Sequence, residues 1–509
     1  MTVDLTHHAQ LLTASAVLGS ISIAPALSQP DGQTDKKRMN VLFLISDDMR
    51  AELSVYGSRL AHTPNLDRLA QQGVRFERAY CQYPLSGPSR ASLLTGRRPT
   101  TGDLYGNAMS EFFGNTYPDW ISLPKYFRQH GYATLRSGKV FHGGMDDAEA
   151  WTEGGESRRR DLPVSKNIPA YVSDEEYLAH IERMTRADLG QAAHSDRWEA
   201  VTGDAVGEQG DTRVANRVIE YIKRSKETGQ PFFIACGLVK PHSPLIAPKE
   251  FFDLYPVENI PLPPDFASLP SIPVGFPAGS IRPNTADLFI SRSASPEDAR
   301  DMIRAYLACV SYVDWNVGRV LDELDRQGLR DNTIIVFWSD HGYQLGEKGK
   351  WSKAGSLWEQ GTRVPFIILD PRAKGNGTSS PRTVELLDIY PTLVDLCGLP
   401  EYKDLDGVSL RPLLDNPLSE RDRPAYTVWN EHGKGITGVA VRTERWRYAE
   451  FFGHGAGAFL TDPVNDPHEL RNLVTDPKYK DVVAELHKLA TKYVEGKTEL
   501  SSPQGITKK

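Results

Sequence analysis

Short apolar runs recur along this chain, and each ends in charged or imidazole side chains. "NVLFLIS" runs into Asp47 and Asp48, and "GYATLRSG" into Lys139 and His142. "PFFIACGLV" runs into Lys240 and His242, and "NTIIVFWS" into Asp340 and His341. Continuous apolar runs of this kind predict strands buried on both faces, as in a parallel sheet. Between them the period becomes helical. Over Asp298 to Leu329, Ile303, Tyr306, Leu307, Val310, Val313, Val317, Val320, Leu321 and Leu324 share one stripe, and Gly328 is the stop. Strands alternating with helices predict an α/β fold with a mostly parallel sheet. After about Pro424 the pattern changes again. "GVAVRTERWRYAEFF" and "AFLTDPVNDPHELRNL" predict antiparallel strands, and "KDVVAELHKLATKYV" predicts a closing amphipathic helix. The expected division is a leader over 1–28, a main domain over 38–424 and a smaller α+β subdomain over 425–509.

Open α/β sheets bind ligands beyond the carboxyl ends of their strands, so the four polar strand ends should converge on one crevice. Composition adds limits. Apolar residues are 39% and charged residues 25%, ordinary for a globular chain. A net charge of −7 provides no field for nucleic acid or an anionic membrane, so an anionic ligand must be met by local cations. The stretch Leu11 to Ser28 is too short for a membrane span. It predicts a secretory signal cleaved near Ala26-Leu27-Ser28, and hence a periplasmic or extracellular protein. Cys81, Cys236, Cys309 and Cys397 form no C-x-x-C pair and read as buried small hydrophobes. Trp151 to Pro169 and the proline-rich Tyr255 to Asn284 read as long loops of the kind that line sites. Arg158-Arg159-Arg160 reads as a solvated patch.

The strand ends suggest specific chemistry. Asp47, Asp48 and Asp340 in one crevice would repel one another unless a cation sat among them. Hard oxygen donors, with His341 beside them, point to a divalent metal such as Ca²⁺ or Mg²⁺. Arg90, Lys139, His142, His242 and Lys353 add positive charge and proton-transfer groups. A metal ringed by cations suits a tetrahedral anion, a sulfate or phosphate ester. Ser86 opens the helix-like run in "YCQYPLSGPSRASLLTGRRP". It can be an oxygen nucleophile in the positive potential of a helix N-terminus, or simply the cap of that helix. Spacing leaves both readings open.

The stretch "SGPSRASLLTGRRP" resembles the sulfatase signature, C/S-x-P-S-R followed by x-S-x-L-T-G. "VLFLISDDMR", "SGKVFH", "KPHSP", "SDHGYQLGEKGKWSK" and "ELLDIYPTL" resemble further segments of that family, in order, so the likeness covers nearly all of 38–475. "LTGRRPTTGDLYG", "LPKYFRQHGYATLRSGKVFHGG" and "AYLACVSYVDWNVGRVLDEL" are similar to its iduronate-2-sulfatase-like subgroup. The resemblance implies an alkaline-phosphatase-like fold: a large, mostly parallel mixed sheet sandwiched by helices. It implies hydrolysis of sulfate esters on a sulfated sugar or polysaccharide fragment. The implied nucleophile is formylglycine, made from Ser86 by a serine-competent, radical iron–sulfur maturase. One hydroxyl of the hydrated aldehyde attacks sulfur, and deprotonating the other expels sulfate by C–O cleavage.

The same resemblance implies residue roles. Asp47, Asp48, Asp340 and His341 hold one Ca²⁺ together with the modified residue 86, polarising nucleophile and sulfate. Arg90 pairs with the aldehyde hydrate and the metal-binding acids. Lys139 and Lys353 clamp sulfate oxygens, His142 takes the proton that triggers sulfate release, and His242 protonates the leaving alcohol. Tyr105 stands where the subgroup has a pocket tyrosine, with Asp103 replacing a basic residue nearby. Two alternatives stay open. One is a phosphate or phosphonate ester hydrolase using unmodified Ser86; the other is a catalytically inactive sulfatase-like binding protein.

Overall fold

The computed structural model describes residues 38–107, 117–142, 146–155, 195–283, 287–431 and 435–498. The expected signal segment, Leu11 to Ser28, and the Arg158-Arg159-Arg160 run lie outside the described residues. The strands are β1 (Asn40–Asp47), β2 (Val74–Tyr80), β3 (Ala133–Gly138), β4 (Trp198–Val201), β5 (Phe232–Pro241), β6 (Leu245–Pro248) and β7 (Thr333–Ser339). They continue as β8 (Arg363–Val364), β9 (Phe366–Leu369), β10 (Thr378–Glu385), β11 (Ala425–Trp429), β12 (Gly438–Arg442), β13 (Arg447–Phe451) and β14 (Gly457–Thr461).

The main sheet runs β10-β2-β9-β7-β1-β5-β3, with β8 paired to β2. Its pairs are parallel except those made by β8 and β9. The apolar runs explain its place. Along β1, Leu42 and Leu44 enter one hydrophobic cluster, while Val41, Phe43 and Ile45 enter the other. Both faces are therefore dry, and each large side chain buried this way stabilises by about 1.5–3 kcal/mol. The helix α1 (Ser86–Thr95) sends Ala91, Leu93 and Leu94 to one face. The helices α2 (Gly210–Thr228) and α3 (Pro296–Arg326) cover the other. Ser295 starts α3: its hydroxyl accepts from the Asp298 amide at 3.1 Å, and Glu297 and Asp298 meet the positive helix end.

The second sheet, β11-β12-β13-β14, is antiparallel throughout. The helix α4 (Lys480–Tyr493) packs Leu486 and Ala490 against it. Trp358, just ahead of β8, stacks on Phe459 of β14 at 4.5 Å and ties this sheet to the main one.

One topological fact positions the chemistry. Strand β1 lies between β5 and β7, all three parallel, with Ser46 opposite Ser339 and Asp47 opposite Pro241. Their carboxyl ends are thus level, and β3 brings Gly138 to the same edge.

Candidate active site

Asp47 ends β1, and the chain turns immediately. Asp48 takes a left-handed φ of +66°, rare for a residue with a side chain. The turn is held from both sides. Tyr306 of α3 donates its hydroxyl to Asp48 O at 2.7 Å and accepts from the Arg50 amide at 3.0 Å. Ser339 accepts from the Met49 amide at 2.9 Å. Just past the end of β7, Asp340 accepts the Asp48 amide through Oδ1 at 3.2 Å. The result is a buried group of Asp47, Asp48, Asp340 and His341 with one ligand atom of each within 4.8 Å of the others.

The donor chemistry of this group fits a cation. His341 Nδ1 lies 3.0 Å from Gly342 O, and a carbonyl can only accept, so Nδ1 carries the proton. The Nε2 lone pair is therefore turned toward Asp48 Oδ1 and Asp340 Oδ2, each 3.5 Å away. Asp48 Oδ1 is itself buried, with no hydrogen-bond partner among the described residues. An imidazole lone pair crowded by carboxylate oxygens, one of them without a donor, is what a hard divalent ion would satisfy.

Ser86 is the first residue of α1, but it does not cap it. Its Oγ lies 3.1 Å from both Asp47 Oδ1 and His341 Nε2. The capping reading fails because the hydroxyl is turned away from the helix amides and into the acidic group. The Gly87 amide is met instead by Asn107 Oδ1 at 3.0 Å. Two turns of signature then lock the helix end. Ser89 donates to Asp340 O at 2.5 Å. Arg90, fully buried, places Nε 2.9 Å from Asp340 Oδ2 and Nη2 3.3 Å from Asp47 Oδ1, while Nη1 donates to Lys139 O at 2.8 Å and Val140 O at 3.0 Å. Cys81, five residues before Ser86, is buried, and burial pushes its thiol far above the usual range, so it is no rival nucleophile.

The cations ring the group. Lys139 follows β3 and its ammonium pairs with Asp47 Oδ2. It gets there because Gly237 has no side chain: a Cβ at that position would sit 2.2 Å from Lys139 O, while Lys139 N donates to Gly237 O at 2.8 Å. Lys353 reaches Asp48 Oδ2 at 2.9 Å and Asp287 Oδ1 at 3.3 Å. Burial would discharge Lys353, but the carboxylates of Asp287 and Asp48 outweigh it and hold the ammonium charged. Burial would likewise raise the Asp47 carboxyl. Lys139 and Arg90 reverse this and keep it well below the usual range. His242 places Nε2 4.0 Å from Asp48 Oδ2. His142 follows Lys139 by three residues, and its Nδ1 is buried without a hydrogen-bond partner among the described residues. Burial, then Lys139, pushes its pKa well below the ordinary histidine value, leaving a neutral base.

Tyr105 sits apart from this ring. Its hydroxyl donates to Asp103 Oδ1 at 2.9 Å, and the same oxygen pairs with Lys497 at 2.9 Å. The Asp103 charge is thereby partly neutralised within the chain. The long loop before residue 284 packs against Lys348. Asp265 pairs with Lys348 at 2.6 Å, and Ser271 N donates to Lys348 O at 2.9 Å.

Some contributors carried no sequence signal. Asp287 stands at the end of an aperiodic, proline-rich stretch. Tyr306 read only as part of the α3 stripe. The acid of Asp211 has the look of a first-turn helix residue, yet its two oxygens accept the Val239 and Lys240 amides at 2.8 and 2.9 Å, bracing the end of β5.

Known proteins resemble this chain over most of its length. Residues 39–399 match the family described as Sulfatase, and residues 346–495 match that described as N-sulphoglucosamine sulphohydrolase, C-terminal. A sulfatase of Formosa agariphila is 35% identical, spanning 90% of this chain and 88% of its own. Human iduronate 2-sulfatase is 31% identical, spanning 92% and 94%. Among solved structures, BT4656 in complex with its substrate D-glucosamine-2-N,6-O-disulfate has a TM-score of 0.66 at 23% identity, covering 90% of this chain and 97% of its own. The phosphonate monoester hydrolase of Agrobacterium radiobacter has a TM-score of 0.68 at 22% identity, covering 89% and 95%. At these identities the two structures speak for the fold alone.

Proposed function

Because the chain belongs to the sulfatase family and hydrolyses sulfuric esters, we propose that it acts on a sulfated sugar, using a formylglycine made from Ser86 beside one bound Ca²⁺. The observation that carries this reading is the placement of Ser86 Oγ, 3.1 Å from Asp47 and from His341 rather than on its helix amides. Oxidised by a serine-competent maturase, residue 86 supplies a hydrated aldehyde with one hydroxyl to attack sulfur and one to release sulfate. Asp47, Asp48, Asp340 and His341 would hold the ion, which supplies positive charge where sulfate oxygens gather.

The chain's own side chains do the rest. Arg90 fixes Asp47 and Asp340 against α1. Lys139 and the buried Lys353 clamp sulfate oxygens. His142, kept neutral, accepts the proton whose loss frees the product. His242 donates to the departing sugar oxygen. Its Nδ1 lies 2.7 Å from Ser243 O and so holds a proton already, which leaves Nε2, the nitrogen nearest Asp48, to carry the transferable one; burial, then Lys353, lowers the pKa of His242, so a proton placed there is readily given up. The sugar class is supported by the iduronate 2-sulfatase relatives. Export follows from the Leu11 to Ser28 segment. Among the described residues no helix is long and apolar enough to cross a membrane.

The test is the mass of the peptide holding residue 86, measured alongside sulfate release. Conversion of serine lightens that peptide by two hydrogens. Rapid sulfate release from protein whose peptide is still unmodified would overturn the formylglycine reading and favour a plain-serine hydrolase.

A further inference from the structure

The loop that carries His242 is braced by a side chain with no assigned task. Lys240 is the last residue but one of β5 and is half-buried. Its ammonium does not point at the sulfate site. It reaches forward along its own chain and donates to His242 O at 2.9 Å and to Pro244 O at 2.5 Å. The backbone of Lys240 is held as firmly. Its amide donates to Asp211 Oδ2 at 2.9 Å, and its carbonyl accepts from Ser46 Oγ at 2.8 Å. The His242 amide closes the turn on Val239 O at 3.0 Å. An ammonium bound to two carbonyls of a five-residue loop removes most of that loop's freedom, and the ring of His242 is set by the backbone beneath it.

We propose that Lys240 is a positioning residue for proton transfer: by tying down His242 O and Pro244 O it holds His242 Nε2 at the leaving oxygen. The inference rests on the reading of His242 as the general acid. It makes a claim that a merely structural lysine would not meet. Loosening the loop should slow only those esters whose leaving oxygen needs a proton. A displacement of about 1 Å in a positioned group can cost about 100-fold, and a general acid contributes roughly 10²–10⁴-fold.

The experiment uses matured, metal-loaded enzyme and three probes of rising leaving-group basicity: 4-nitrophenyl sulfate, phenyl sulfate and hexyl sulfate. Lys240→Met should lower kcat on hexyl sulfate about 10–100-fold with KM changed less than about twofold, and leave 4-nitrophenyl sulfate within about threefold. Lys240→Arg, which keeps a charged donor, should recover most of the loss. In a His242→Ala background, Lys240→Met should add less than about a twofold further loss, because the two residues act as a unit. If Lys240→Met does not fold, Lys240→Gln takes its place in the same comparison, since its amide cannot span both carbonyls. Equal losses on all three probes, or a full further loss in the His242→Ala background, would overturn the proposal. The His242→Ala enzyme also reports on its own. If it loses equally on all three probes, the general-acid reading itself fails, an outcome distinct from a steep His242→Ala profile with a flat Lys240→Met one.

Discussion

Two buried clusters of opposite charges lie in this chain, and they are built differently. Under the second sheet, Glu359 Oε1 accepts from Tyr80 at 2.7 Å, and Oε2 from Arg442 at 3.1 Å and Arg447 at 2.6 Å. Glu469 accepts from Thr461 and from the Glu359 amide, both at 2.7 Å. Every carboxylate oxygen there has a donor, and Arg447 Nε, which makes no hydrogen bond among the described residues, still meets Glu469 Oε1 as an ion pair at 3.3 Å. Arg442 and Arg447 outweigh burial, and the Glu359 carboxyl falls far below its ordinary range. At the strand ends the sum does not close. Asp47, Asp48, Asp340 and Asp287 face Arg90, Lys139 and Lys353, and Asp48 Oδ1 is left without a hydrogen-bond partner among the described residues. A closed cluster is a structural device. An open one is a candidate site for a cation.

Breaking the open cluster at its centre has the largest expected effect. Ser86→Ala should abolish sulfate release by a factor on the order of 10⁶ while the melting midpoint barely moves, because no oxygen remains to be oxidised. Ser86→Cys, expressed in a host that oxidises cysteine, should recover turnover through the same aldehyde. Paired assays of activity and thermal melting check both.

The closed cluster should respond the other way. Glu359→Ala leaves Arg442 and Arg447 buried without their shared partner and should destabilise by about 3–5 kcal/mol. Activity per folded molecule should persist. Denaturant unfolding with active-site titration separates the two quantities, and a catalytic loss without a stability loss would erase the distinction drawn here.

Metal removal probes the open cluster alone. At a hundredfold excess over its dissociation constant, Ca²⁺ should add about 2.7 kcal/mol to folding stability. EGTA should lower the midpoint accordingly in the wild type and in Glu359→Gln, but not in Asp340→Asn. An EGTA-insensitive wild type would count against the ion.

A third buried carboxylate sharpens the comparison with the smallest effect. Asp314 accepts the Leu66 amide at 2.7 Å, the Asn65 amide at 3.2 Å and the Asn65 side chain at 2.8 Å, with no cation beside it in these contacts. Burial wins over those amides, and its pKa is raised to about 6. The folded state therefore holds this proton more tightly than the unfolded state. The associated stability is fully present below the ordinary value of 3.8 and is lost as pH rises through about 6. Relative to Asp314→Asn, the wild type should lose about 1–3 °C of melting midpoint between pH 4 and 7. A constant difference across that range would show that the proton is not held.

Much of the molecule is legible in its residue pattern. The buried strands showed as apolar runs because both faces of the main sheet are dry, and α3 showed because a 3.6-residue stripe leaves a regular trace. Polar residues following those runs marked the edge where the acidic group gathers. The open choice over Ser86, cap or nucleophile, could not be settled that way: a helix-start serine looks the same whichever way its hydroxyl turns. Asp211, Asp287 and Tyr306 escaped for a related reason. Their partners, Lys240, Lys353 and Asp48, lie 29, 66 and 258 residues away along the chain.

The sequence by itself determined the class of sheet, the antiparallel second layer, the polar strand ends and the family signature around Ser86. These are local properties, written in periodicity and residue type. Only the tertiary structure decided that β1 lies between β5 and β7, which levels Asp47 with Pro241 and Ser46 with Ser339. It also decided which carboxylate keeps an oxygen without a hydrogen-bond partner among the described residues, and that Lys240 reaches the carbonyls of His242 and Pro244. Those outcomes depend on strand order and on directions of side chains across hundreds of residues. Local pattern is blind to them, because a hydrophobic period reports that a face is buried and never what buries it.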